Sequence, residues 1–218
     1  RTARRLRGNR DTAREDGSRT HMKRIIVATN NAYKADEISH VLGMDGLEFV
    51  TMREAGVASD PVEDADTFEG NARIKARSAH EASGGAAVIA DDSGLVVDAL
   101  DGAPGVYSSR FAGEDGNDAA NNALLLERLE GVPEAERTAR FVCTLVFIDE
   151  DGSERVATGS VEGRVGRVER GSEGFGYDPL FYPDAYEGAL TFAEVPQADK
   201  NLISHRAMAL RAMRDLLG

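Results

Sequence analysis

Residues 86–97 read Ala86-Ala87-Val88-Ile89-Ala90-Asp91-Asp92-Ser93-Gly94-Leu95-Val96-Val97. The apolar run Ala86 to Ala90 has the pattern of a short buried strand. It stops at two adjacent carboxylates, a hydroxyl and a glycine, and a second apolar run, Leu95-Val96-Val97, follows at once. Side chains alternate across a strand, so Asp91 and Asp92 must point to opposite sides. One can face a cleft while the other supports the backbone. A carboxylate at the end of a buried strand suits Mg²⁺, a hard cation that takes oxygen ligands. Taken alone, the stretch reads more simply as an acidic turn, because Asp, Ser and Gly are common turn residues.

Upstream, Ile25-Ile26-Val27-Ala28 is a buried strand, followed by Thr29-Asn30-Asn31-Ala32-Tyr33-Lys34. Ala35, Ile38, Val41 and Leu42 then fall at helical spacing, Gly43 can end the helix, and Asn31 is its N-cap candidate. A strand, a polar turn and a helix start together form an anion site, with free N–H groups and the positive end of the dipole facing the ligand. Lys34 in the first turn is out of place unless a phosphate answers it; the plainer alternative is a solvated lysine. The glycine-rich phosphate-loop and dinucleotide patterns are absent here.

Leu47 to Val50 is a second strand, and the acidic loop Asp60 to Asp66 follows. Thr67 caps a helix to about Ala82, with Phe68, Ala72, Ala76 and Ala79 on its apolar side. Arg73, Lys75 and Arg77 on that helix are the usual makings of a solvated face. His40 and His80 are expected at the surface. Gly102 to Arg110 is a loop, a helix runs from about Asp118 to Leu129, and Phe141 to Ile148 is a strand. Asp151-Gly152 turns the chain into Arg155 to Val161, and Gly163 to Val168 continues as a bulged strand. Antiparallel pairs after a parallel start imply a mixed sheet.

Gly174-Phe175-Gly176-Tyr177-Asp178-Pro179 places an aromatic between two glycines. Such a ring can stack a base, worth about 1–3 kcal/mol, or can tuck into the core at a tight turn. Near the end, Ser204 caps a helix with Ala207, Leu210, Met213 and Leu217 on its buried face. His205 and Arg206 open that helix, where a cation again expects an acceptor.

The chain has 218 residues, enough for one large domain or two small lobes. Its net charge is −12, from 38 acidic and 26 basic residues, and an acidic body argues against a duplex-DNA partner. The charge is uneven, because residues 1–21 hold seven Arg against three acidic residues. That segment is expected to be a disordered N-terminal extension or an artefact, with Met22 as the natural start and 22–218 as a single two-lobed domain. No apolar run is long enough to span a membrane. Cys143 is the only cysteine, so no internal disulfide can form, and a cytoplasmic setting is expected.

Five segments in this order resemble the inosine triphosphate pyrophosphatase family. They are Thr29-x-Asn31-x-x-Lys34, Thr67-Phe68-x-x-Asn71-Ala72-x-x-Lys75-Ala76, Asp91-Asp92-Ser93-Gly94, Gly174 to Pro179, and Ser204-His205-Arg206. Each motif alone is weak; their joint occurrence across 22–218 is highly specific. The resemblance implies an α/β fold with an elongated mixed β-sheet flanked by helices, two lobes and a deep central groove, as a homodimer. It implies Mg²⁺-dependent hydrolysis of ITP, dITP or XTP to the monophosphate and pyrophosphate. The family commonly has Glu where this chain has Gly70, so the reciprocal capping box is lost and weaker local stability is expected.

By the same resemblance Asp92 is catalytic base and metal ligand; Glu63, from the acidic loop, is the candidate second ligand. Thr29, Asn30, Asn31, Ala32, Tyr33, Lys34, Lys75 and Ser93 hold the substrate on the phosphate side. On the base side Phe175, Gly176, Tyr177 and Asp178 face Lys200, His205 and Arg206. A pyrophosphatase for other modified nucleotides and a non-catalytic nucleotide sensor are the alternatives.

Overall fold

The computed structural model describes residues 22–29 and 32–218, with the side chains of residues 32, 33 and 36 left out. The expectations for residues 1–21, for Asn30 and Asn31, and for the side chains of Ala32 and Tyr33 lie outside the described residues.

Six strands form one mixed sheet in the order β2-β1-β3-β4-β5-β6. They are β1 (Lys23–Val27), β2 (Leu47–Thr51), β3 (Ala87–Val97), β4 (Thr138–Ile148), β5 (Glu154–Val165) and β6 (Phe181–Pro183). The first three are parallel, and β3, β4, β5 and β6 pair antiparallel. The helices are α1 (Ala32–Val41), α2 (Met52–Ala55), α3 (Phe68–Ala82), α4 (Asp118–Arg128), α5 (Gln197–Ile203) and α6 (His205–Leu217). The mixed sheet with flanking helices agrees with the sequence expectation.

Strand alternation divides the core. On β1, Ile25 and Val27 join Ile38, Leu42, Leu210 and Met213 of α1 and α6, while Ile26 and Ala28 join Ala72, Ala76 and Ala79 of α3. A third cluster, built on Leu95, Val97, Leu125, Phe141 and Phe181, fills the far end of the sheet. There buried Arg137 donates to the carbonyls of Leu129, Val165 and Gly166, so its charge is hydrogen-bonded without a carboxylate.

The Asp-Asp-Ser-Gly stretch is not a turn. β3 runs through it, with Asp91 opposite Leu145, Asp92 opposite Thr144, Ser93 opposite Cys143 and Gly94 opposite Val142. β4 offers an unbroken ladder, and inter-strand pairing displaces the local bonds a turn would make. β5 pairs regularly with β4 through Glu162, Gly163 and Arg164, so the expected continuation carries no bulge and ends at Val165, short of Val168; β6 and α5 were not legible in the residue pattern.

Thr67 and Ser204 cap α3 and α6 as expected, accepting from the N–H groups of Gly70 and Ala207. Gly70 has a packing reason the cap pattern did not show: a Cβ there would meet the Ala65 methyl at 2.5 Å. His80 is half-buried, not a surface residue, and its Nδ1 lies 2.7 Å from the Ala86 carbonyl. Arg73 and Arg77 reach across to Glu154 of β5 at 2.9 and 2.7 Å, so that face is not merely solvated.

Gly102 to Arg110 is not all loop: Gly105–Arg110 forms a 3-10 helix, and Gly94 is where it presses on β3. A Cβ at this position would run into the Ser108 hydroxyl, the Gly105 carbonyl at 2.5 Å and the Phe68 ring at 2.9 Å. Two of those neighbours cannot swing aside, since the carbonyl is backbone and Ser108 donates to it while accepting from the Leu95 N–H. Gly94→Ala is expected to cost about 1–3 kcal/mol or more by overpacking, measured as a fall in the urea midpoint at unchanged m-value.

Candidate active site

The alternation that sorts the core also sorts the two carboxylates. Asp91 shares the parity of Ile89 and faces α1 and α6; Asp92 shares that of Ala90 and faces α3. Between them opens a groove of about 1970 Å³, bordered by the end of β1, the Asp60–Glu63 loop, the Gly174–Asp178 loop and the start of α6.

On the α3 side, Lys75 Nζ lies 2.9 Å from Glu63 Oε2 and 3.2 Å from Asp92 Oδ1. Asn71 donates to the other Asp92 oxygen at 3.4 Å. Burial raises the pKa of Asp92; Lys75 draws it down, and the like charges of Glu63 and Asp91 push it up again. Burial works against the Lys75 ammonium, but Asp92, Asp91 and Glu63 hold its pKa above the ordinary lysine value. The two rises have different origins: burial leads for Asp92, whereas the carboxylates around Lys75 outweigh its burial.

On the opposite side, Asp91 is buried and faces Lys34 at 3.0 Å and the Arg206 Nε at 3.5 Å. Burial alone would raise its pKa, but Lys34, Arg206 and Lys75 hold it well below the usual carboxylate range. Arg206 also donates to Glu37 at 2.8 Å and approaches the Ser93 hydroxyl at 3.4 Å. A cation opening α6 opposes the helix dipole; these carboxylates offset that. The cations that looked misplaced in the sequence therefore have protein carboxylates beside them. Thr29 sits half-buried at the same rim.

At the other end, the Phe175 ring is 52 % exposed and is not tucked into the core. Lys200 lies under it, with Nζ 5.5 Å from the ring centroid, and forms a buried ion pair with Asp178. The same Asp178 oxygen accepts from the Phe175 N–H at 3.0 Å. Burial raises the Asp178 pKa while Lys200 lowers it. Gly176 continues the loop, and Tyr177 is buried with its hydroxyl donating to the Ser108 carbonyl at 2.8 Å. His205 stacks on Phe141 at 4.9 Å. Burial, then Arg206 and Lys200, press its pKa well below the ordinary histidine value, so the ring is neutral at pH 7.

Two residues of the site, Glu37 and Arg110, were not singled out in the sequence, and Asp91 was read only as half of the acidic pair. Glu37 lies one turn after Lys34 on α1, and that i, i+3 spacing was its only local signal. Asp91 had been given a supporting role without partners. Arg110 sits under Tyr107 at 5.3 Å and donates to the Glu63 carbonyl at 3.4 Å; no local pattern marked it.

Among the described residues, no cluster of three or more His, Cys, Asp or Glu could cage a metal ion. The donor set is two carboxylates, Asp92 and Glu63, on one side of the groove. That fits Mg²⁺, which takes one or two protein carboxylates and completes its shell with water and phosphate oxygens.

Fold and groove together define an α/β protein with a charged cleft across the middle of its sheet. The Ham1 family model matches residues 25–216. A dITP/XTP pyrophosphatase of Exiguobacterium sibiricum is 48% identical over 194 residues, covering 89% of this chain and 96% of that protein. A HAM1 protein from Coxiella burnetii superposes with a TM-score of 0.82 at 38% identity, over 90% of this chain and 98% of its own. The Staphylococcus aureus Ham1 protein gives 0.81 at 36% identity, over 89% and 98%. The chain belongs to the Ham1 family.

Two stability measurements test this charge arrangement. Asp91→Asn leaves Lys34 and Arg206 facing each other in a buried site and is expected to cost about 3–5 kcal/mol at pH 7, read from urea unfolding. His205 is neutral when folded and takes up a proton when unfolded, so its contribution is present above the unfolded pKa near 6.5 and lost as pH falls below it. Melting temperature is expected to drop between about pH 6.5 and 5, and His205→Gln is expected to flatten that part of the curve.

Proposed function

We propose that the chain is a nucleoside-triphosphate pyrophosphatase acting on deaminated purine nucleotides. It hydrolyses ITP, dITP or XTP to the monophosphate and pyrophosphate and so cleanses the nucleotide pool. The observation that carries the reading is the division of one groove into a carboxylate–lysine end at Asp92, Glu63 and Lys75 and an exposed aromatic at Phe175. The dITP/XTP pyrophosphatase name of the Exiguobacterium relative supports it. Residues 22–218 act as one two-lobed unit, as a homodimer, in the cytoplasm.

The triphosphate is bound by Thr29, Asn30, Asn31, Ala32, Tyr33 and Lys34, with Lys75 and Ser93 completing its site. Asp92 and Glu63 would hold Mg²⁺, which would neutralise charge on the phosphate oxygens. Asp92 accepts a proton from the water that attacks the α-phosphorus. The new P–O bond forms as the bond to the pyrophosphate oxygen breaks. Lys75 and Lys34 hold the phosphates in line, so alignment and charge stabilisation do most of the work.

The base stacks on Phe175. Hypoxanthine and xanthine present an acceptor at C6 and a donor at N1. Neutral His205 and the remaining Arg206 N–H groups donate to O6, and the Asp178 oxygen not engaged by Lys200 and Phe175 accepts from N1–H. Adenine reverses both groups, and buried mismatches of this kind discriminate by roughly 10⁴. Lys200 keeps Asp178 oriented, and Gly176 and Tyr177 hold the loop.

Product analysis with Mg²⁺ and ITP, beside ATP and GTP, tests the reading. IMP and pyrophosphate are expected from ITP, with little turnover of ATP or GTP. Asp92→Asn is expected to lower kcat by 10² or more, the usual worth of a positioned general base. Orthophosphate as the direct product would sink attack at the α-phosphorus. Equal turnover of ATP would remove the base-recognition roles of Asp178, His205 and Arg206.

A further inference from the structure

The loop that carries Phe175 is held by α4, whose first residue, Asp118, also lines the groove. Asp118 and Asn122 are four residues apart and so lie on one face of that helix. Both reach Gly176. The Gly176 N–H donates to Asp118 Oδ2 at 2.7 Å, and Asn122 Nδ2 donates to the Gly176 carbonyl at 3.1 Å. Gly176 has φ +61°, the left-handed region that favours glycine, so the loop reverses here. The two helix side chains grip the reversal by both of its backbone polar groups. Asn122 is buried, so its bond to the Gly176 carbonyl is shielded from water.

The neighbouring asparagine reaches elsewhere. Successive helix residues point about 100° apart, and Asn121 accepts from the Ala112 N–H at 2.8 Å and donates to the Ser109 carbonyl at 3.0 Å. One helix therefore ties down the 109–112 segment, which bears Arg110, and the Gly174–Asp178 loop, which bears Phe175. Tyr177 closes the circuit through its bond to the Ser108 carbonyl.

We infer that Asp118 and Asn122 are positioning residues for base selection: they clamp Gly176 so that the Phe175 ring stands rigid over the base site. They touch no reacting atom and act through the loop. A half-exposed ring on a free glycine-flanked loop would sample many orientations, and each binding event would have to immobilise it. The clamp removes that cost before the nucleotide arrives, and a base that stacks and pairs correctly gains most from it. The inference rests on the reading of Phe175 as the base platform.

Two readouts on the full chain test it. The first is hydrogen–deuterium exchange without nucleotide. Asp118→Ala and Asn122→Ala are expected to speed exchange in residues 174–178 while α3 and β4 keep their protection. Asp118→Asn, which retains an acceptor oxygen, is expected to restore the wild-type pattern. The second readout is kinetic. In the two alanine variants KM for ITP is expected to rise about tenfold, the scale of one lost hydrogen bond, and ITP-over-ATP selectivity is expected to fall. The inhibition constant of pyrophosphate, which has no base, is expected to stay put. Unchanged exchange in 174–178 would overturn the clamp. Loosened exchange with unchanged KM, or with KM and the pyrophosphate constant moving in parallel, would overturn its role in base selection. If the wild type fails to hydrolyse ITP, the proposed function fails, and the exchange data still decide the clamp.

Discussion

Everything in the site depends on one geometrical constraint, the alternation of side chains along an unbroken β3. Two carboxylates adjacent in sequence would repel each other if they shared a face. Here they are sent to opposite sides of the sheet, each to its own cations. Asp91 enters the α1–α6 layer and meets Lys34 and Arg206. Asp92 enters the α3 layer and meets Lys75. β4 makes this possible, because its continuous ladder keeps the polar patch extended. Had residues 91–94 turned, the two charges would have converged and the groove would have lost one of its walls.

Burial then sets the chemistry of each carboxylate. Asp91 has two cations within reach and stays ionised at a depth where an unpaired charge would be costly. It is a structural anion that orients the first turns of α1 and α6. Asp92 shares a single lysine with Glu63, and its pKa rises. Neighbouring residues of one type thus diverge, one held ionised by two cations and the other raised by burial, which is how environment sets paired acids apart. At the Phe175 end of the groove Lys200 is held between Asp178 and the rings of Phe175 and Phe192, so one buried ammonium orients a carboxylate and an aromatic together.

Much of the fold was legible in the chain. The periodicity of Ile25–Ala28, Phe141–Ile148 and the α3 and α6 segments located those elements, and the Thr67 and Ser204 caps marked two helix starts to the residue. The errors share a cause. The stretch at 91–94 read as a turn, and the β5 continuation read as a bulge, because local composition says nothing of the ladder waiting on the neighbouring strand. His80 read as a surface residue because the Ala86 carbonyl that receives its ring comes from the turn folding back over it. Arg110 and Asn122 carried no local signal, since their partners lie 47 and 54 residues away.

What the sequence by itself determined was the inventory and its alternation. It set which residues could be charged, that Asp91 and Asp92 must part company, that Phe175 sits between glycines, and that a cation opens each of two helices. Only the tertiary structure decided who answers those charges. Lys34 and Arg206 are 172 residues apart in the chain, yet they meet on one carboxylate because α1 and α6 pack on the same face of the sheet. The physical reason is that side-chain direction follows from local backbone geometry, whereas the partner of a buried charge follows from how layers stack, and no local pattern encodes that.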